Sequence, residues 1–188
     1  MELLSVFSAF GLSASAGLNA YIPLLVIALL AKFTDLIHLN TPWDALTSWW
    51  IIGLLLVLST IEFLADKIPA VNHVNDAIQT IIRPVAGAIA FAASTNIITG
   101  MSPILALAAG LFIAGSVHAV KSLAIRPAVT ATTGGAGNIP VSIAEDVTST
   151  IISVLSVVIP VLIAGLIIML VSWFIWLLWR RINREARS

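Results

Sequence analysis

From residue 3 to residue 31 the chain runs roughly 29 residues without a charged side chain, and the first charge after it is Lys32. About 20 such residues cross a hydrocarbon core of about 30 Å, so a run of this length constrains the chain to lipid before anything else is known. Four further apolar stretches of about spanning length follow, 45–64, 77–98, 103–120 and 151–179, the first two of them carrying one charge each, Glu62 and Arg83. With 60% hydrophobic residues, 10% charged residues and a mean hydropathy of +1.09, the 188 residues carry more apolar side chain than a soluble domain could bury. The expectation is an all-α, polytopic transmembrane helix bundle of about five spans, residues 1–188 forming a single integral membrane domain.

Composition also excludes function classes. The chain has no Cys, which removes disulfides, thiolate metal sites and cysteine nucleophiles. Its formal net charge is zero, which argues against a nucleic-acid partner. Glu2 stands where a signal peptide would carry basic residues, and the first run exceeds the 7–15 residues of a signal core, so this segment is expected to remain in the mature protein. The densest basic cluster is the tail Arg180, Arg181, Arg184 and Arg187, preceded by Trp173, Trp176 and Trp179. Basic residues gather on the cytoplasmic side, and tryptophans at the interface, so a multi-pass protein of the cell (inner or plasma) membrane with a cytoplasmic C-terminus is expected. Five crossings would put the N-terminus outside. A first segment that turned back as a hairpin would reverse its side and leave the rest unchanged.

The first run contains its own interruption, AGLNAYIP at 16–23. Gly17, Asn19 and Pro23 all weaken helix there, and Pro23 both lacks an N–H and disfavours helix at Ile22. In hydrocarbon the freed backbone groups must be satisfied by protein or by a water-lined cavity. A broken first helix is therefore expected, either as a tolerated kink with Asn19 bonding a neighbouring helix or as a half-helix binding site of the kind transporters build. The stretch TTGGAGNIP at 132–140 suggests a second irregular element, a possible re-entrant loop.

A weak internal repeat joins the middle of the chain to its last third. Ile68-Pro69 precedes Asp76-x-x-x-Thr-Ile-Ile, and Ile139-Pro140 precedes Asp146-x-x-x-Thr-Ile-Ile. An Asp that opens a helix complements its dipole, so convergence on a good helix start competes with true duplication. If the repeat is real, each unit holds two crossings and the copies are parallel. The same comparison aligns Glu62 and Asp66, on one face at i, i+4, with His118 and Lys121, together at i, i+3. An acidic rim and a basic rim then share one membrane face with Asp76, Arg83, Arg126, Glu145 and Asp146.

Arg83 lies roughly 10 Å into its helix at about 1.5 Å per residue from Asp76. Facing lipid it would cost at least ~2.5–3.5 kcal/mol, so it must pair with a carboxylate such as Glu62 or Asp66, bind an anion, or snorkel to the interface. Small residues at four-residue spacing, Gly11, Ser15 and Asn19, then Ala86, Ala90 and Ser94, then Ala106, Gly110, Ala114 and His118, offer faces for close helix packing. Two of these ladders end on a polar residue, where packing can give way to a cavity. The fifth segment lacks such a ladder and is expected to be the most lipid-exposed.

The motifs AGLNAYIPLL, ADKIPAVNHVNDAIQTIIRPVAGA, HAVKSLAIRPAV and SIAEDV, in this order across nearly the whole chain, resemble those of a family of small bacterial integral membrane proteins known as domain of unknown function 4126. The resemblance implies a compact polytopic membrane protein and brings no activity with it.

Two function classes remain. The first is a small transporter, channel or lipid-handling protein moving an ion or a small anionic or headgroup-bearing substrate past Asn19, Glu62, Asp66, Arg83, His118 and Lys121. The second is a structural or accessory membrane protein in which those groups only hold helices together. No GxSxG or HExxH arrangement is present, so an enzyme is not expected, nor is a cofactor or bound metal. The lipid bilayer is the expected partner, and a homodimer is possible because so short a chain leaves little room for a pathway of its own.

Overall fold

The computed structural model describes residues 2–95 and 101–185. Ile98, the expected end of the third apolar run, and Arg187 of the basic tail lie outside them. Every regular element among the described residues is helical: α1 (Glu2–Leu18), α2 (Tyr21–Phe33), a 3₁₀ turn (Trp43–Thr47), α3 (Trp49–Ala65), α4 (Pro69–Thr95), α5 (Pro103–Val120), a π turn (Lys121–Ile125), α6 (Arg126–Thr133) and α7 (Asn138–Glu185).

The first apolar run is broken, as its sequence predicts, between Leu18 and Tyr21. The break places Pro23 in the first turn of α2, where its missing N–H has no intrahelical partner to lose. The consequence is a reversal of direction. Along α1, Ser13 bonds Gly110 of α5, and Gly17 packs on Ala114 and Val117, so these helices run parallel. Phe10 stacks edge-on against Phe91, and Gly87 lies beside Ser13, so α4 runs antiparallel to α1. α3 ends just before α4 begins and therefore approaches the Asn19 end of the bundle while α4 leaves it. α2 pairs with α3 head to tail, Ala20 meeting Glu62 and Phe33 meeting Trp49, and so runs back the way α1 came. The first run is a helical hairpin whose tip is Asn19-Ala20.

Among the described residues, three helical stretches are long and apolar enough to span a membrane, Val74–Thr95, Pro103–Thr133 and Asn138–Pro160, and Ser5–Leu18, Tyr21–Phe33 and Trp49–Ala65 are shorter apolar helices. A 29-residue run suits one tilted crossing or two short antiparallel legs equally well, and only the tertiary contacts decide. The hairpin also brings the start of α1 to the same end of the bundle towards which α7 runs.

Residues 121–146, which lie between the fourth and fifth apolar stretches, are mostly helix. Thr132 and Thr133 return their hydroxyls to carbonyls one turn earlier, and Asn138 bonds Thr130, so residues that read as loop are satisfied within helix ends. The reversal needs only the left-handed Gly134 and Gly135, at φ 63° and 91°. Residues 132–140 form a largely exposed turn rather than a loop dipping into the bundle. The element that turns back is the first segment.

Small residues make the contacts close. The buried face of α5 is Ala106, Gly110, Ala114 and His118, the ladder visible in the sequence. α7 carries a ladder of serines, of which Ser153 alone lies within the fifth apolar stretch: Ser142, Ser149 and Ser153 are fully buried, and Ser15 of α1 bonds both Ser149 and Ser153. The outward face of α7 is apolar, with Ile151, Leu155, Ile159, Leu162, Trp173, Trp176 and Trp179 exposed.

Candidate functional site

The hairpin tip ends among charges. Between residues 45 and 179 every Asp, Glu, Lys and Arg of the chain, nine in all, takes part in one largely buried network around Asn19 and Ala20, with Lys67 and Asp76 partly exposed at its edge. They come from the end of α3 and the two residues after it, from α4, the π turn, the start of α6 and the part of α7 two turns from its start, and His118 at the end of α5 lies among them.

The tip itself is held by this network. Asn19 Oδ1 accepts from the backbone N–H groups of Tyr21 and Ile22, capping α2, and its Nδ2 donates to Asp146 Oδ1 at 3.0 Å. The N–H of Ala20, which the break deprives of an intrahelical acceptor, donates to Glu62 Oε2 at 3.2 Å. The carbonyl of Leu18, left open at the end of α1, accepts from Lys121 Nζ at 3.1 Å. A carboxylate at a helix N-terminus and an ammonium at a helix C-terminus also match the two helix dipoles.

Behind the tip, Arg83 is wholly buried and meets the demand that an intramembrane guanidinium be paired. It donates twice to Glu62 Oε1, from Nη2 at 2.8 Å and Nε at 3.2 Å, and lies 3.6 Å from Asp66. Its Nη1 approaches His118 Nδ1 at 3.3 Å. A guanidinium can only donate, so Nδ1 accepts and the imidazole proton sits on Nε2, which donates to Thr80 Oγ1; His118 is therefore neutral in this arrangement. The expected pairing of the acidic rim with the basic one is present, and Lys121 adds a 3.9 Å approach to Asp66.

Arg126 is the second hub. Its guanidinium is shared by Asp66 at 3.1 Å, Asp76 at 3.2 Å and Glu145 at 3.1 Å, while Lys121 reaches Glu145 at 2.7 Å. In an α-helix, positions 121 and 126 would lie roughly 140° apart at 100° per residue. The π turn, closed by the Arg126 N–H on the Lys121 carbonyl, brings both cations to one side. Asp66 lies outside the membrane-spanning helices. Burial alone would raise its carboxyl, but Lys121, Arg126 and Arg83, with a bond from Asn75, outweigh burial and hold it below the ordinary Asp value of 3.8.

Asn19, Glu62, Asp66, Arg83, His118 and Lys121 are thus all brought together. The sequence placed Asp76, Arg126, Glu145 and Asp146 on the same face but gave them no part in the site, where Arg126 and Glu145 prove central. The internal repeat was the signal that could have found them. Lys67, following α3, pairs with Asp146 at 3.3 Å, and Arg126, following α5, pairs with Asp76, so the cation after each unit's first helix binds the repeat Asp of the other unit; both Asp residues lie about two turns inside their helices, not at the helix starts the sequence suggests.

Among the described residues, no group of three or more His, Cys, Asp or Glu side chains is arranged to hold a metal ion. No curated protein and no solved structure matches the chain. A family model described as a domain of unknown function matches residues 6–181, and the chain belongs to that family, DUF4126.

Proposed function

We propose that this membrane protein is a small transporter or channel that moves an ion or a small headgroup-bearing substrate past the tip of the α1–α2 hairpin. The observation that carries the reading is the way the tip is closed. Two of the backbone groups freed by the helix break, the Ala20 N–H and the Leu18 carbonyl, are bonded by Glu62 and Lys121, which are themselves anchored by Arg83 and Glu145. Rearranging the ion pairs and moving the hairpin are consequently one event, which is what a gate requires. Stability alone is a poor reason to bury so many charges, since well-packed apolar residues do as well or better.

In this reading the protein is a multi-pass protein of the cell membrane, and the basic tail is cytoplasmic. The N-terminus, at the same end of the bundle, is cytoplasmic too, and the hairpin is re-entrant with its tip towards the outer half. The test is flux of small ions, and scrambling of labelled lipids, in liposomes holding the purified chain. Rates no higher than in protein-free liposomes across that panel would overturn it.

One observation favours an accessory role instead: Asn19 is 1% exposed, with its side-chain amide bonded on both sides, so the arrangement described is a closed one. The same flux measurement separates the two readings.

A further inference from the structure

The buried network is not balanced in charge. Among the described residues, Glu62, Asp66, Asp76 and Glu145, joined by ion pairs, share Arg83, Lys121 and Arg126, while Lys67 and Asp146 form a balanced pair beside them. His118 adds no charge, because its Nδ1 is an acceptor for Arg83. Four carboxylates thus face three cations, and a surplus charge in a water-poor interior is costly unless something positive joins it.

The surplus can be placed. Glu62 has two bonds from Arg83, and Asp66 lies within reach of all three cations. Among the described residues, Asp76 pairs with Arg126 alone, on Oδ2, and its Oδ1 is buried without a hydrogen-bond partner. Glu145 gives Oε2 to Lys121 and Arg126, and its Oε1 is likewise buried and unpartnered. Gln79, 2% exposed and one turn beyond Asp76 on α4, has a third buried oxygen, Oε1, with no donor. These three atoms are all acceptors. What the network lacks is one positive charge, whereas an incoming anion would have to displace a carboxylate from every cation it met.

We propose that Asp76 and Glu145, on either side of Arg126, hold one exchangeable monovalent cation, a proton or a sodium ion, and that this cation is the ion the protein carries. The last clause rests on the transport reading; the site does not. The groups facing the pair are Asp66 beyond α3, Arg83 and Gln79 on α4, Lys121 in the π turn, Arg126 on α6, and Asp146 on α7 beside Glu145. A proton would convert one carboxylate to a neutral acid and so remove the surplus charge. Sodium would instead use the unpartnered oxygens as ligands, as hard cations do.

The test uses the purified chain in lipid nanodiscs. In sodium-free buffer, infrared difference spectra across a pH series should show the carbonyl band of about one protonated carboxyl per chain, lost as pH rises. If sodium is the ion, sodium chloride should instead raise the melting temperature saturably where choline chloride of equal ionic strength does not. Asp76→Asn equalises the count at three against three, so it should fold and lose whichever signal the parent shows. Glu145→Gln is read in the same way if Asp76→Asn does not fold. Neither signal in the parent, or an undiminished signal in a folded variant, overturns the proposal. Cation uptake with no flux in liposomes would overturn the transport reading and leave the site standing.

Discussion

Lys121 closes the C-terminal end of α1 by donating its ammonium to the carbonyl of Leu18 at 3.1 Å, across more than a hundred residues of chain. The same Nζ lies 2.7 Å from Glu145. One cation therefore serves a broken helix and a carboxylate from α7. Removing one partner of a buried pair strands the other, at a cost of about 3–5 kcal/mol. Lys121→Met should destabilise the protein by that order, measured by denaturant or thermal unfolding in mixed micelles. Adding Glu145→Gln should cost less than the two changes summed, because the stranded charge is gone; simple additivity would show that the pair is not coupled.

Close packing of α4 on α5 gives a second expectation. A Cβ on Gly110 would lie 2.4 Å from the Gly87 carbonyl and 2.8 Å from the Ala88 backbone, neither of which can swing away. Gly110→Ala should cost about 1–3 kcal/mol through forced separation of the helices. On α3, Gly53 has nothing within 4 Å of the same position. Gly53→Ala should be neutral or stabilise by up to about 1 kcal/mol through helix propensity. Equal effects of the two on melting temperature would mean that the α4–α5 contact is not what limits stability.

Asp66 sets a pH dependence whose sign follows from its surroundings. Its carboxyl is held below 3.8 in the folded protein, so the stability it contributes is fully present above that value. The contribution is lost as pH falls through the lower folded value. Asp66→Asn should therefore narrow the gap in melting temperature between pH 6 and pH 3, since the variant has no such proton to bind. An unchanged gap would show that acid acts on the fold through other carboxylates.

How much of this was legible in the sequence depends on the range of the interaction. The break at Gly17, Asn19 and Pro23 is local chemistry and could be read directly. The pairing of Arg83 with the acidic rim followed from the cost of leaving it in lipid alone. The reversal of α2 could not be read, because it depends on where α3 lies relative to α1. Nor could the role of Arg126, which depends on the π turn, a local widening with no strong sequence signature. The serine ladder of α7 was legible, since Ser142, Ser149 and Ser153 recur on one face, but those serines were lost among the larger apolar residues around them.

Asn19 carries the most direct test of the gate. Its Oδ1 caps α2, and its Nδ2 is the bond between the hairpin tip and Asp146, which in turn holds Lys67. Asn19→Ala removes both, and loss of a cap costs about 0.5–2 kcal/mol, so a measurable but survivable fall in stability is expected. Asn19→Asp keeps the capping oxygen while replacing the donor to Asp146 with a like charge. If the tip moves during transport, Asn19→Asp should retain the α2 cap yet alter flux more than Asn19→Ala does, because it repels the tip from α7 as well as releasing it. Flux per folded molecule in liposomes, set beside melting temperature for both variants, separates the effects. Two variants that lose stability but keep the parent rate would show that Asn19 serves only to hold helices together, and that the accessory reading is the right one.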